Sequence, residues 1–163
     1  MSGFFTNPNQ PTTAVYVEVM TAAAVTLGLT LQTFGARNLD EIGPAFEAMV
    51  RAGMQAMTAV QGGTAFQGRH IIPKMAVAHG LPMCAFSKET FEPGALISHG
   101  PDQVDMCQHS AVHADTILKG AKPTDLPVEQ PTKFELLVNL KTAAALGINV
   151  PLQLQQLACE VVE

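Results

Sequence analysis

Tryptophan is absent from this sequence, tyrosine occurs once, and charged residues make up only 14% of the chain. With so few aromatic side chains of these types, a stacking platform for bases is not available. The net charge of −5 and the absence of any Lys/Arg cluster argue against nucleic acid as a partner. No apolar run approaches the roughly 18 residues of a membrane span. We therefore expect a globular chain with no nucleic-acid partner and no membrane span.

Cysteine is also scarce. The three cysteines, Cys84, Cys107 and Cys159, are far apart and odd in number, so a disulfide framework is not expected and we predict buried thiols. The first ten residues, MSGFFTNPNQ, lack the basic segment and apolar core of a signal peptide.

Familiar catalytic and cofactor motifs are missing as well. The chain has no GxGxxG, no GxxxxGK[ST] and no GxSxG sequence. His109 and His113 have the i, i+4 spacing of a metal pair on one helix face, with Cys107 nearby, but a third ligand (His99 or Asp105) could only be guessed. We interpret the pair as a solvated helix face, and predict no metal, no cofactor and no enzymatic activity.

What the sequence does contain is an alternation of short apolar runs and helical periodicity. Strands are predicted at residues 3–6, 29–34, 54–60, 81–86, 95–98 and within KFELLVNLK (133–141). Helices are predicted at 11–27, from the Asn38 cap to Gly53, at 65–78 with a kink or late start at Pro73, at 102–119, at TAAALG (142–147) and at 151–162. This order indicates an α/β fold in one domain over 1–163, with a mainly parallel, doubly wound sheet and helices on both faces.

Ligands of such sheets lie beyond the carboxyl ends of the strands. The loops predicted there are TNPNQPTT, GARN, QGGTAFQG, SKETFEPG and SHGPD. Thr12-Thr13 and Gly62-Gly63-Thr64 lead into helix N-termini, where backbone N–H groups suit a carboxylate or another anion. Ordinary polar turns would have the same composition, so this pattern specifies only a binding edge.

One long segment carries a family resemblance. ILKGAKPTDLPVEQPTKFELLVNLKTAAALGINVP (117–151) closely resembles the C-terminal signature of ABC-transporter substrate-binding proteins of the tryptophan/tyrosine-binding type, which have a type I periplasmic-binding fold. TNPNQPTT and LPMCAFSKETFEPGALISHGPD resemble further stretches of their second lobe. The chain departs from that pattern at His99, where the family usually has an aromatic residue, and at QGGTAFQG, where it usually has an acidic residue and Pro.

The resemblance implies that the chain is the second lobe of a binding protein whose first lobe is missing. Helix 102–119 and linker 120–132 then correspond to the crossover to that lobe, and KFELLVNLK returns to the second-lobe sheet. We expect the apolar face of helix 102–119 (Val104, Cys107, Ala111, Ile117 and Leu118) to be covered in a homodimer or a swapped assembly.

The expected function is non-covalent binding of a small ligand, such as an amino acid or aromatic acid, for delivery to an ABC permease. The residues expected to contact it are Asn7, Thr12, Thr13, Gln61, Gly62, Thr64, Phe66, Ser87 and Phe91. The resemblance implies a periplasmic or extracytoplasmic location, whereas a complete gene product without a signal peptide would be cytoplasmic. The alternatives are a flavodoxin-like cofactor protein or enzyme, and an orphan structural lobe without a ligand.

Overall fold

The computed structural model describes residues 1–59 and 62–163, in which strands and helices alternate. The strands are β1 (Ser2–Thr6), β2 (Leu31–Gly35), β3 (Ala56–Ala59), β4 (Met83–Ala85), β5 (Ile97–Pro101), β6 (Phe134–Asn139) and β7 (Glu160–Val162). The α-helices are α1 (Thr13–Thr26), α2 (Ile42–Arg51), α3 (Gly63–Gln67), α4 (Ile72–Ala78), α5 (Lys88–Phe91), α6 (Gln103–Leu118), α7 (Leu140–Ala145) and α8 (Leu152–Leu157).

The strands form one sheet in the order β2-β1-β3-β4-β5-β6-β7. Every neighbouring pair is parallel except β5 and β6, which run antiparallel with Ile97 opposite Val138 and Pro101 opposite Phe134. Helices cover both sides of the sheet. The predicted fold class, a mainly parallel doubly wound α/β sheet, is therefore confirmed.

The main core lies between the sheet and α2 with α4. Phe5 of β1 and Met57 of β3 meet Phe46, Met49 and Ile72 from these helices, and all are at most 1% exposed. A smaller cluster beneath α7 joins Val138 of β6 to Ala143 and Val150. KFELLVNLK thus supplies an inner strand of the sheet, as its alternating pattern predicts.

The predicted helix 65–78 is two helices, α3 and α4. The break falls at residues 68–71, and Pro73 occupies the first turn of α4, where the missing N–H of proline costs no hydrogen bond. Gly68 fits this break closely, since a Cβ there would lie 2.9 Å from Cδ1 of Ile42 and 3.0 Å from Cδ1 of Ile72, and these side chains would have to shift. The predicted interruption at Pro73 is therefore correct, and it takes the form of a late start.

The predicted helix 151–162 is wrong in its second half. Only α8 is helical, and Glu160–Val162 form β7, parallel to β6. The Cys159 N–H donates to the carbonyl of Leu136 at 2.7 Å, and Lys88 Nζ reaches Glu160 Oε2 at 2.6 Å. The open edge of β6 offers unpaired backbone groups, and two adjacent valines favour an extended chain over a helix.

The cysteine prediction is also wrong in part. Cys84 on β4 is half-buried, and burial raises the pKa of its thiol, but Cys107 and Cys159 are exposed. Both exposed thiols lie on elements at the margin of the structure, α6 and the approach to β7.

Helix α6 and residues 120–132 after it, which we call the return segment, stand away from the sheet. None of the α6 residues is buried. Asp102 anchors the base, because its side chain accepts from the N–H groups of Val104 (2.9 Å) and Asp105 (3.1 Å) and pairs with Lys133. The Lys133 partner, followed by the Asp105 N–H, holds the pKa of Asp102 below its usual value.

The surface area reflects this protruding arm. The chain exposes 9627 Å², whereas a compact monomer of 17.3 kDa is expected to expose roughly 7,800 Å². The excess of roughly 1,800 Å² exceeds the share that each partner contributes to a standard protein interface. Within residues 1–59 and 62–163, none of the helices is long and apolar enough to cross a membrane.

Candidate functional site

The carboxyl ends of β1, β2 and β3 lie at one edge of the sheet, where the loops after β1 and β2 meet the start of α3. Asn7, directly after β1, connects them. Its Nδ2 donates to Thr64 Oγ1 at 2.7 Å and to the carbonyl of Arg37 at 3.2 Å. Thr64 is buried, and its hydroxyl in turn lies 3.3 Å from the same Arg37 carbonyl. Asn7 and Thr64, both predicted from the loop sequences, therefore lie side by side.

The start of α1 lies on the same edge. Thr13 Oγ1 donates to the carbonyl of Asn7 at 2.6 Å and lies 3.1 Å from Thr6 Oγ1. Thr12 occupies the N-cap position, but its side chain makes no capping hydrogen bond and instead lies 3.2 Å from Gln10 Nε2. With no side chain capping it, the N-terminus of this 14-residue helix offers the N–H groups that the sequence predicts for an anion.

Gly62 belongs to this edge because it lies against Gln10. A Cβ on Gly62 would fall 2.0 Å from Gln10 Oε1, so the loop after β1 and the start of α3 are in close contact. Gln61, also predicted to contact the ligand, lies outside the described residues. Gln10 itself was not among the predicted contacts, although it stands between the two prolines of NPNQP.

Phe66 on α3 presents an aromatic face to solvent. The side chain is 50% exposed, and the guanidinium of Arg69 lies 4.7 Å from its ring centre. Arg69 Nη1 also donates to the Phe66 carbonyl at 3.0 Å, which fixes the charge near the ring. Sequence reasoning missed Arg69, although it stands three residues after Phe66 within the helix predicted at 65–78, a spacing at which side chains meet.

Ser87 and Phe91 are placed differently. Ser87 follows β4 but is buried, with its hydroxyl 3.2 Å from Thr90 Oγ1. Phe91 is 0% exposed and belongs to the main core. The structure therefore does not bring the Phe91 ring to the edge. Its ring instead packs into the main core as the last residue of α5.

A second aromatic pair lies farther along the edge, where β5 ends and β6 begins. His99 and Phe134 stack with ring centres 5.8 Å apart and an interplanar angle of 12°. SHGPD is consequently not a loop, because Ile97–Pro101 continue the sheet as β5. Gly100 allows this, since a Cβ there would lie 2.1 Å from the carbonyl oxygen of Phe86.

The two helix histidines face the return segment. His109 Nδ1 lies 2.8 Å from Glu129 Oε2, and His113 Nε2 lies 3.5 Å from the same oxygen. Glu129 raises the pKa of His109, and His109 lowers the pKa of Glu129. These side chains line a cavity of about 530 Å³ between α6 and residues 127–132. Among the described residues, no group of three or more His, Cys, Asp or Glu side chains could hold a metal ion.

Comparison with known proteins identifies the family. The model of the ABC transporter substrate binding protein family matches residues 2–162. The chain belongs to this family. No curated protein sequence matches it.

Solved structures agree with this assignment. The ABC domain of Streptococcus pneumoniae in complex with L-Trp is 26% identical, with a TM-score of 0.88 over 99% of this chain and 56% of that one. A conserved domain protein from Vibrio cholerae O1 biovar El Tor is 22% identical, with a TM-score of 0.90 over 98% of this chain and 54% of that one. The ligand-free, open form of a substrate-binding protein with adhesive properties from Clostridium difficile is 20% identical, with a TM-score of 0.73 over 99% of this chain and 54% of that one. The chain thus spans about half the length of these solved relatives, and the last two show the fold alone.

Proposed function

We propose that this chain is one lobe of a substrate-binding protein and forms one wall of a site for an amino acid or aromatic acid. The carrying observation is the convergence of Asn7, Thr64 and the start of α1. Phe66 follows Thr64 on α3 and adds an exposed ring that pairs with Arg69. The L-Trp complex of the 26% identical Streptococcus pneumoniae protein supports this ligand class.

The chemistry of the edge suits such a ligand without covalent steps. An aromatic ring gains contact area and favourable geometry by stacking on Phe66. A carboxylate can be met by the guanidinium of Arg69 or by the free N–H groups at the start of α1. The amide of Asn7 is already held by Thr64 and Arg37, so it is rigid before any ligand arrives.

The lobe assignment rests on the length of the relatives. In this proposal residues 1–163 are the second lobe, and α6 with residues 120–132 is the crossover to a first lobe. Closure of two lobes about a hinge would complete the site. An ABC permease would receive the ligand, and the family points to an extracytoplasmic location.

Under the same assignment, α6 exposes apolar side chains that a partner would cover. Val104 is 66% exposed and Leu118 is 87% exposed, and the excess surface of the chain is large enough for an interface. We therefore propose a homodimer or swapped assembly that covers α6. Light scattering of the wild-type chain is expected to give at least the mass of a dimer, and a monodisperse monomer would contradict this proposal.

Ligand binding can be tested by urea unfolding with and without 20 mM L-tryptophan. One lobe supplies only part of the contacts, so we expect a Kd on the order of 1 mM, which corresponds to a stabilisation of about 1.8 kcal/mol at this concentration. Phe66→Ala should raise the Kd roughly tenfold and reduce the stabilisation to about 0.6 kcal/mol. Leu157→Ala, an exposed position on α8, should bind like the wild type.

Two results would count against this site. An equal stabilisation of wild type and Phe66→Ala would place the ligand elsewhere. No stabilisation of the wild type by tryptophan, tyrosine or phenylalanine would favour an orphan lobe without a ligand.

A further inference from the structure

Helix α1 exposes an apolar seam that ligand binding does not use. Val17, Met20 and Ala24 turn towards the sheet, and Ala24 is buried. The opposite side carries Val15, Val19, Ala22 and Thr26, which we call the α1 seam. Val15 is 62% exposed and Val19 is 60% exposed. Apolar side chains in a continuous row on a solvent face indicate an interaction surface.

The spacing of the α1 seam is that of a helix-pairing face. Its members follow one another at intervals of four, three and four residues, which is close to one helical turn at each step, so the four side chains form one row along the helix. Val15, Val19 and Thr26 are β-branched and lose little side-chain freedom on packing, and Ala22 allows close approach. The helix is 14 residues long, which gives roughly 21 Å of contact length.

The charge pattern restricts what can cover this seam. Glu18 is the only charged side chain in residues 1–36, and the first basic residue is Arg37. Helices that lie on membranes carry Lys and Arg on the polar face, and nucleic-acid surfaces need the same residues. A neutral, apolar helix is the complementary partner, and a second α1 has this character.

An antiparallel pair of α1 helices is self-complementary. With a two-fold axis between Val19 and Ala22, Val19 of one copy faces Ala22 of the other, and Val15 faces Thr26. Each valine then faces the smaller Ala22 or Thr26, and the two halves of the contact are identical, as an isologous interface requires.

We propose that the α1 seam is a two-fold interface between two copies of this chain. The interface does not depend on ligand binding, because the α1 seam lies on the outer side of the helix and Asn7 and Phe66 are outside it. A failure here would therefore leave the proposed function untouched.

Sedimentation equilibrium of the full chain tests the interface. Val19→Lys should halve the mass of the wild-type assembly, because a buried lysine would have no partner in the seam. Leu157→Lys, at an exposed position of α8, should leave the mass unchanged. The same mass for wild type and Val19→Lys would overturn the proposal.

Disulfide trapping locates the interface independently. In a Cys107→Ser, Cys159→Ser background, Ala22→Cys should give a covalent dimer on mild oxidation. Thr21→Cys, one residue away and also exposed but outside the α1 seam, should remain monomeric. The half-buried Cys84 is present in both variants, so it affects them equally. Equal cross-linking of the two variants, or none in either, would contradict the α1 interface.

Discussion

At the scale of single residues, the room for a Cβ atom determines which glycines can be replaced. Gly100 is extended in β5, and a side chain there would collide with the carbonyl oxygen of Phe86, which is part of the backbone and cannot rotate away. Gly63 opens α3 with nothing within 4 Å of its Cβ position. These two glycines thus have opposite tolerance for a methyl group.

The Gly100→Ala variant should lower the free energy of unfolding by about 2 kcal/mol or more, since β4 and β5 would have to separate. Gly63→Ala should change it by less than about 1 kcal/mol and can raise it, because alanine restricts the unfolded chain. Urea unfolding of both variants measures the difference. Similar losses in the two would show that the contact with Phe86 does not limit this position.

Residue-level predictions from sequence succeeded where local chemistry decides. Gly28 and Gly53 end their helices with φ of 66° and 69°, and Asn38 caps the turn before α2 by accepting from the Glu41 N–H. Phe91 and Arg69 could not be placed in the same way. Whether a phenylalanine faces the core or the solvent depends on the crossing of distant elements, which no local pattern encodes.

At the scale of elements, the histidines on α6 tie that helix to the return segment. His109 bonds to Glu129 across the cavity, and Asp105 lies 3.8 Å from the other ring nitrogen of His109. The raised pKa of His109 means that its contribution to stability is complete below the usual value of 6.5 and is lost as the pH rises through the folded value. The lowered pKa of Glu129 makes its contribution complete above 4.5 and lost at lower pH.

This contact between α6 and the return segment should therefore be strongest between about pH 4.5 and 6.5. Glu129→Gln should lower the pKa of His109 towards its usual value, because the first of its stabilising partners is gone. An NMR titration of the histidine ring protons measures this, with His70, far along the chain, as an internal reference. An unchanged His109 titration in Glu129→Gln would show that the two side chains do not meet.

Element boundaries show why sequence reasoning went wrong at the C-terminus. α8 and β7 both fall within a segment whose leucines and valines fit a helical period, and the choice of a strand follows from the open edge of β6. That edge exists only after β5 and β6 have paired, so the information is tertiary. The segment KFELLVNLK, by contrast, has an alternating apolar pattern in its sequence, so a strand could be predicted there without tertiary information.

At the scale of the whole molecule, the fold could be predicted because the order of strands and helices determines the crossovers, and the family resemblance added an expectation for the ligand class. The area that the chain exposes could not be predicted, since it depends on α6 standing clear of the sheet. The excess of roughly 1,800 Å² and the coverage of about half of each solved relative agree with a lobe that acts with a partner.

We propose that the edge formed by the loop after β1 and the start of α3 binds an aromatic amino acid. Titration with L-tryptophan, followed by the backbone amide NMR signals, tests this directly. We expect progressive changes at Asn7, Thr13, Thr64, Phe66 and Arg69. Changes confined to the cavity around His109 and Glu129, or no changes at all with millimolar ligand, would contradict it.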